Sequence, residues 1–475
     1  MSAACGKTEF IRDYSESILD SQAALFIGSG LSREACAYDW RGLLREAAED
    51  IGLNVDKESD LISLAEYYVN NKRSRAKIDD AISKCFKDIR TPTENHRLLA
   101  SLPITSYWTT NYDRLLECAF ESMGLSYSVL TDDESLKKHT DGKDIILRKL
   151  HGDVNRPYEC VITRSDYEEF AFRHEILLAQ LKGEMCAKSF LFLGYSFSDT
   201  DIKHILTRIR HFYKRNSPQR HFCILANVQK DASETKEDFE YRKCWLEHHI
   251  TDLQSYGINT VLVNDFGEIT DMLKEIRHRI SAKQVFISGA FEDDPSGILS
   301  KYAHNIAKWL IENGYRIHTG YGKNVGAEIV AGAFSACEKS KTKIKDFNSS
   351  VFLYPFPYKK SMTDDERRTA YSELRESAIL RTHITIIING TKMQSKKAVP
   401  IVSNGVLEEG YLSIAQGNVV IPIAVTEGAA RQLWTEINDT KSEFSITTDF
   451  QALSSGCSFI DVFQAVVNII KASKR

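Results

Sequence analysis

The sequence predicts an α/β protein built from two doubly wound parallel-sheet domains, spanning residues 1–282 and 283–475. Three observations carry that expectation. Short apolar runs alternate with stretches of helical periodicity, the pattern of strands joined by helical crossovers. Several runs stop at a glycine or a polar turn, as strands of an open α/β sheet do where they deliver residues to one rim. The whole pattern then restarts near residue 283.

In chain order, Phe10, Ile11, Tyr14 and Ile18 recur at helical spacing and predict an amphipathic first helix. Ala23-Ala24-Leu25-Phe26-Ile27 is a buried-strand run stopped by Gly28. Residues 40–51 have helical periodicity and end before Gly52, a residue suited to closing a helix. Further strand candidates lie at 107–109, 145–147, 190–193, 222–226 and 260–263, and 271–280 reads as a charged closing helix. The second half opens with Val285-Phe286-Ile287-Ser288-Gly289, a strand entering a glycine turn, and continues with strand candidates at 315–318, 351–353, 384–388 and 419–423. No Pro/Gly/Ser-rich linker separates the halves, and there is no repeat. On length alone, one large α/β domain with insertions is the competing reading.

Composition bounds the function. The chain has 475 residues, 43% hydrophobic and 27% charged, an ordinary balance with ample core. A net charge of -4 gives no global electrostatic case for nucleic acid or a membrane surface. No apolar run approaches the roughly 20 residues that span a bilayer. Residues 1–20 carry no apolar signal region, so a cytoplasmic location is expected. The ten cysteines are scattered singly with no C-x-x-C pair, so no zinc module, disulfide framework or other metal site is indicated.

A split constellation carries the chemistry. Gly28-Ser29-Gly30-Leu31-Ser32 is followed by Asp39-Trp40-Arg41, then Thr110-Asn111-Tyr112-Asp113, then His151-Gly152-Asp153, each after a short apolar run. A glycine turn after a strand lets backbone amides approach a pyrophosphate. Alone, Gly28-x-Gly30 fits a structural turn as well as a phosphate site, and Ser32 fits a helix cap as well. A lone His151 would read as a satisfied structural histidine. Together the segments point to a nicotinamide dinucleotide whose glycosidic bond is cleaved. That reaction builds oxocarbenium character on the ribose, which oriented polar groups stabilise more than the ground state. An imidazole there can take a proton from water or a ribose hydroxyl.

The first run, six further residues and Asp39-Trp40-Arg41 resemble the sirtuin signature G-A-G-x-S…D-F-R at matching spacing. Thr110-Asn111-Tyr112-Asp113 resembles the sirtuin T-Q-N-x-D segment with Thr for Gln, and His151-Gly152 resembles the catalytic H-G. The resemblance covers roughly residues 1–280. It implies NAD+ as substrate, with Gly28, Ser29, Gly30 and Ser32 on the pyrophosphate and Asp39 at the nicotinamide amide. It further implies Asn111 and Asp113 at the nicotinamide ribose, and His151 as base. The paired C-x-x-C zinc module of protein-deacylating sirtuins is missing, as are their acyl-peptide channel motifs. The run from Phe192 to Asp201 is instead similar to bacterial sirtuin-like domains of antiviral systems, in which water is the acceptor; within it Ser198 and Asp199 are candidate helix caps.

The second half resembles the Rossmann-like SLOG family, related to LOG phosphoribohydrolases. Val285–Gly289 and His318-Thr319-Gly320-Tyr321-Gly322-Lys323-Asn324-Val325-Gly326 carry that resemblance. The later loop, Ser403-Asn404-Gly405-Val406-Leu407-Glu408-Glu409-Gly410, lacks the doubled glycines of the LOG enzymes and suits a ligand sensor. A sirtuin-like domain joined to SLOG resembles the effector family of bacterial Thoeris antiphage systems. The resemblance implies activation by a cyclic ADP-ribose isomer made by a partner TIR-domain protein. Arg375, Lys392 and Glu409 would bind this activator, with Ser288 and Gly289 near its phosphates and Gly326 as a looser match. It also implies a homo-oligomer, a tetramer or larger, built mainly through the sirtuin-like domain. The alternatives are a nucleotide-binding sensor or scaffold without turnover, in which Asn111 and His151 merely bind, and a protein deacylase.

Overall fold

The computed structural model describes residues 4–35, 40–137, 145–197, 200–213, 220–231, 234–339, 344–356, 361–394, 397–455 and 458–473. The chain divides into two compact units, Met1–Arg277 and His278–Arg475.

The first unit is wound on strands β1 (Ala23–Ile27), β2 (Ser106–Thr109), β3 (Tyr127–Leu130), β4 (Ile145–Lys149), β5 (Ser189–Leu193), β6 (His221–Ala226) and β7 (Ile258–Val263). All pair in parallel, in the order β3-β4-β2-β1-β5-β6-β7. From β1 the chain builds one flank through β2, β3 and β4, then crosses to β5 on the other side of β1. Winding therefore reverses between β1 and β5, and open sheets bind ligands beyond the strand ends at such a point. β1 and β5 are buried throughout, as their unbroken apolar sequences require of central parallel strands.

The helix Lys7–Leu19 covers this sheet with Phe10, Tyr14 and Ile18, and the Tyr14 hydroxyl donates to the Ala24 carbonyl at 2.9 Å. Ile11 lies off that face and is only half-buried. Between β1 and β2 the helices Trp40–Asp50, Leu61–Lys72 and Ala76–Phe86 form their own apolar cluster. That cluster takes in Tyr112, Val154 and Cys160, so it braces the loops leaving β2 and β4.

The second unit has strands β8 (Gln284–Ala290), β9 (Arg316–Thr319), β10 (Val351–Leu353), β11 (Ile384–Asn389), β12 (Thr391–Gln394), β13 (Lys397–Val402) and β14 (Val419–Ile423). Five pair in parallel in the order β10-β9-β8-β11-β14, while β12 and β13 form an antiparallel hairpin. Winding reverses here between β8 and β11. Strand β3 and the hairpin were not expected from sequence. Three of the four β3 residues are only half-buried, β12 carries the exposed Lys392 and Met393, and Pro400 interrupts the apolar run of β13. Among the described residues no helix is long and apolar enough to cross a membrane.

Candidate functional site

At the first unit's reversal point two chain segments touch. The amide of Gly28 donates to the Leu193 carbonyl at 2.8 Å, and that of Gly30 to the Gly194 carbonyl at 2.9 Å. A Cβ on Gly28 would lie 2.4 Å from the Gly194 oxygen, and one on Gly194 (φ +64°) would lie 2.2 Å from the Leu31 nitrogen. Glycine is required here by protein packing against protein, with both amides engaged by the β5 exit. Ser29 is exposed at the rim. Asp39, Ser198 and Asp199 lie outside the described residues.

Ser32 turns away from the glycine turn and joins the β2 exit. Its hydroxyl donates to Asp113 Oδ2 at 2.8 Å and accepts from Asn111 Nδ2 at 3.1 Å. The Thr109 hydroxyl fixes the base of this loop, donating to the Ile27 carbonyl at 2.9 Å and accepting the Asn111 amide at 3.0 Å. Asp113 Oδ1 accepts the Leu115 amide at 3.0 Å, at the start of the helix Leu115–Ser122. All three side chains are buried, and among the described residues Asn111 Oδ1 has no hydrogen-bond partner. A buried oxygen without a donor costs about 1–3 kcal/mol, and such groups call for an explanation in function. Here the relay through Ser32 assigns the amide nitrogen inward and leaves the carbonyl oxygen as the acceptor.

His96 is a buried neighbour that the sequence did not suggest. Its Nδ1 meets the Thr93 hydroxyl at 2.7 Å. Burial pulls its pKa down to about 4, with Asp113 pulling the other way.

His151 follows β4 and is buried. Its ring meets Tyr167 and Phe170 edge-on at 5.4 Å each, and its carbonyl accepts the Val161 amide at 2.9 Å. Gly152 then turns at φ +100°, where a Cβ would also lie 2.9 Å from Cys160 Cα.

The strongest feature missed from sequence is Lys149, the last residue of β4 and fully buried. Its Nζ donates to the carbonyls of Asp113 (2.6 Å) and Tyr112 (3.2 Å), to Asp153 Oδ2 (2.6 Å) and to Glu117 Oε1 (3.1 Å). Burial opposes its charge, but Glu117, Asp153 and Asp113 outweigh burial and hold its pKa above the ordinary lysine value. The available signal was a lysine ending an apolar strand two residues before His-Gly.

In the second unit the structure brings Ser288, Arg375 and Glu409 together. The Ser288 hydroxyl donates to Glu409 Oε2. Arg375 Nε donates to Glu409 Oε1 at 3.3 Å and Nη1 to Glu408 Oε2 at 2.8 Å, and the guanidinium lies 4.8 Å from the Phe356 ring centre. Burial pushes the Glu409 carboxyl up, against Ser288 and Arg375. Arg375 is thus mostly buried and ion-paired, rather than part of an exposed charged surface. Gly289, the penultimate residue of β8, pairs with β11, where a Cβ on it would lie 2.2 Å from the Ile388 oxygen; a Cβ on Gly322 would lie 2.0 Å from the Gly289 oxygen. Gly326 packs on Tyr321 at the start of the helix Val325–Lys339. Lys392 stands apart, exposed on β12 opposite Ile401.

Two family models match the chain: the SIR2-like domain over residues 105–252 and the Sir2- and TIR-associating SLOG family over 268–473. The chain is 34% identical over 434 residues to the NAD(+) hydrolase ThsA of Bacillus cereus (strain MSX-D12), covering 90% of this chain and 89% of that protein. It is 36% identical over 464 residues to the NAD(+) hydrolase ThsA of Enterococcus faecium, covering 94% of each. It is 31% identical over 489 residues to that of Cytobacillus dafuensis, covering 99% and 97%. Both units and their order are therefore shared along nearly the whole length, and the chain belongs to the ThsA family of NAD(+) hydrolases.

Proposed function

We propose that this chain hydrolyses the nicotinamide–ribose bond of NAD+ as the effector of a bacterial antiphage system, switched on by a cyclic ADP-ribose isomer bound in the second unit. The observation that carries the reading is Asn111 Oδ1, a buried acceptor beside the winding reversal that the Ser32–Asp113 relay holds with no donor among the described residues. A ribose hydroxyl is the donor it lacks. As nicotinamide leaves with the bonding pair, the Asp113 carboxylate and Asn111 oxygen stabilise positive charge on the sugar. Water adds at the anomeric carbon and His151 accepts its proton. The products are nicotinamide, ADP-ribose and one proton.

A cell cannot tolerate this activity unchecked. Moving the enzyme from about 1% to 99% active requires the messenger to favour the active state by about 5.5 kcal/mol. The Ser288–Glu409–Arg375 cluster, at the second unit's own reversal point, is where we place it, with Lys392 closing from the hairpin. The reading includes a TIR-domain partner as the source of messenger, assembly into a homotetramer or larger array, a cytoplasmic location, NAD+ depletion that aborts infection, and no metal.

The experiment is incubation of the purified full-length chain with NAD+, with and without a panel of cyclic ADP-ribose isomers, following nicotinamide and ADP-ribose by chromatography. Release dependent on one isomer supports the reading. NAD+ binding without release under every isomer favours a sensor without turnover.

A further inference from the structure

Strands β2 and β4 are neighbours with Thr109 opposite Lys149, so the loops carrying Asn111 and His151 leave the sheet side by side. Catalysis across two loops needs their separation fixed, because a misplacement of about 1 Å costs about 100-fold in rate. Backbone pairing supplies part of this: the Val154 amide donates to the Tyr112 carbonyl at 3.1 Å. The rest converges on one ammonium. We infer that Lys149 is a positioning residue for the NAD+ cleavage proposed above, clamping the Asn111–Asp113 loop to the His151–Asp153 turn.

Two features separate a clamp from a mere ion pair. First, a buried ion pair is weak evidence for stability, since an apolar replacement of similar volume often serves as well. An apolar residue cannot, however, hold two peptide carbonyls in direction, and Lys149 holds those of Tyr112 and Asp113. Second, its partners lead straight to the reacting groups. On one side the Asp113 carbonyl is gripped while the Asp113 carboxylate anchors Ser32, which aims Asn111. On the other, Asp153 Oδ2 is gripped while Oδ1 accepts the Asn155 amide at 2.8 Å, shaping the turn two residues beyond His151. Glu117 braces the ammonium from the helix that begins after Asp113.

The inference rests on the NAD+ hydrolase reading, and the test keeps the two apart. Full-length wild type, the neutralised variant Lys149→Met/Glu117→Gln/Asp153→Asn, and Glu117→Gln alone are compared under the activating isomer. Thermal unfolding, kcat and KM for nicotinamide release are read for each. The neutralised variant removes the Lys149 ammonium together with the two carboxylates in contact with it and is expected to unfold cooperatively near wild type. Its kcat should fall about 100-fold, with KM within threefold. A folded variant keeping kcat within tenfold of wild type overturns the clamp. Should the triple variant not fold, the isosteric Glu117→Gln decides: a kcat loss of tenfold or more at unchanged KM and melting temperature supports the clamp, and a smaller loss overturns it. Lys149→Arg adds a readout that charge balance alone would not move, because the planar guanidinium cannot reproduce the ammonium's directions. It should fold without recovering kcat; recovery to wild type makes Lys149 purely a counter-charge and overturns the inference. A wild type that releases no nicotinamide under any isomer sinks the parent reading, before any variant is compared.

Discussion

Ser32→Ala distinguishes the role the sequence implied, a pyrophosphate contact, from the one the structure gives. The hydroxyl accepts from Asn111 Nδ2 at 3.1 Å and donates to Asp113 Oδ2 at 2.8 Å. Alanine leaves both buried groups unpaired, for a stability loss of about 1–3 kcal/mol. It also frees the Asn111 amide to turn, so its oxygen no longer points one way. A hydrogen bond anchored on a carboxylate is worth about 1.5–3 kcal/mol. If that orientation matters mainly as charge develops on the ribose, kcat falls about 10- to 100-fold, with KM within threefold. A pyrophosphate contact acts equally in ground and transition states, so its loss raises KM at constant kcat. The assay is steady-state nicotinamide release by the full-length protein under the activating isomer, with folding checked by thermal unfolding. A tenfold rise in KM with unchanged kcat refutes the relay.

Three further outcomes follow from the same geometry. Gly28 has φ -110°, which any residue adopts, so Gly28→Ala tests the backbone contact with Gly194 and Tyr195; it should cost about 1–3 kcal/mol, and an unchanged melting temperature would show that the segments can separate. His221 is buried neutral, its pKa pulled by burial from 6.5 to about 4. The unfolded chain takes that proton first, so its stability contribution is complete above pH 6.5 and is lost as pH falls toward 4. Between pH 7 and pH 5 the loss is about 2 kcal/mol; His221→Asn should remove that much of the pH dependence in urea unfolding, and superimposable profiles would contradict it. Arg375→Ala should raise the isomer concentration for half-maximal activity at least about tenfold, as expected for one charged hydrogen bond, and leave any basal NAD+ cleavage intact. A dose–response matching wild type removes Arg375 from the messenger site.

The fold was legible where strands are central and apolar. β1 and β5 are buried end to end and read as unbroken runs, whereas β3 is a half-buried edge strand that alternates too little to be seen. Of the helices between β1 and β2, Trp40–Asp50 was read from its periodicity, whereas Leu61–Lys72 and Ala76–Phe86 were not, although each buries apolar residues at helical spacing. At the site, the glycine turn, Asn111 and His151 were visible as motifs. What those residues touch was not: Gly28 and Gly30 serve packing against Gly194, and Ser32 serves Asn111. Lys149 was hidden because lysine is the residue type least expected inside a core, and only the four oxygens around it explain its burial. Arg375 stood in a charged stretch where sequence alone could not tell its ion pair with Glu408 and Glu409 from solvent exposure.

The most direct test of the account is nicotinamide release from NAD+ by wild type and Asn111→Ala, side by side under the activating isomer. The substitution removes the one buried acceptor that the relay leaves open, and it takes no side chain from the apolar core. Isomer-dependent release is expected from wild type and a loss of at least about 100-fold from Asn111→Ala, with unchanged oligomeric state and melting temperature. Near-normal release by Asn111→Ala would mean that the bond is not broken at this rim.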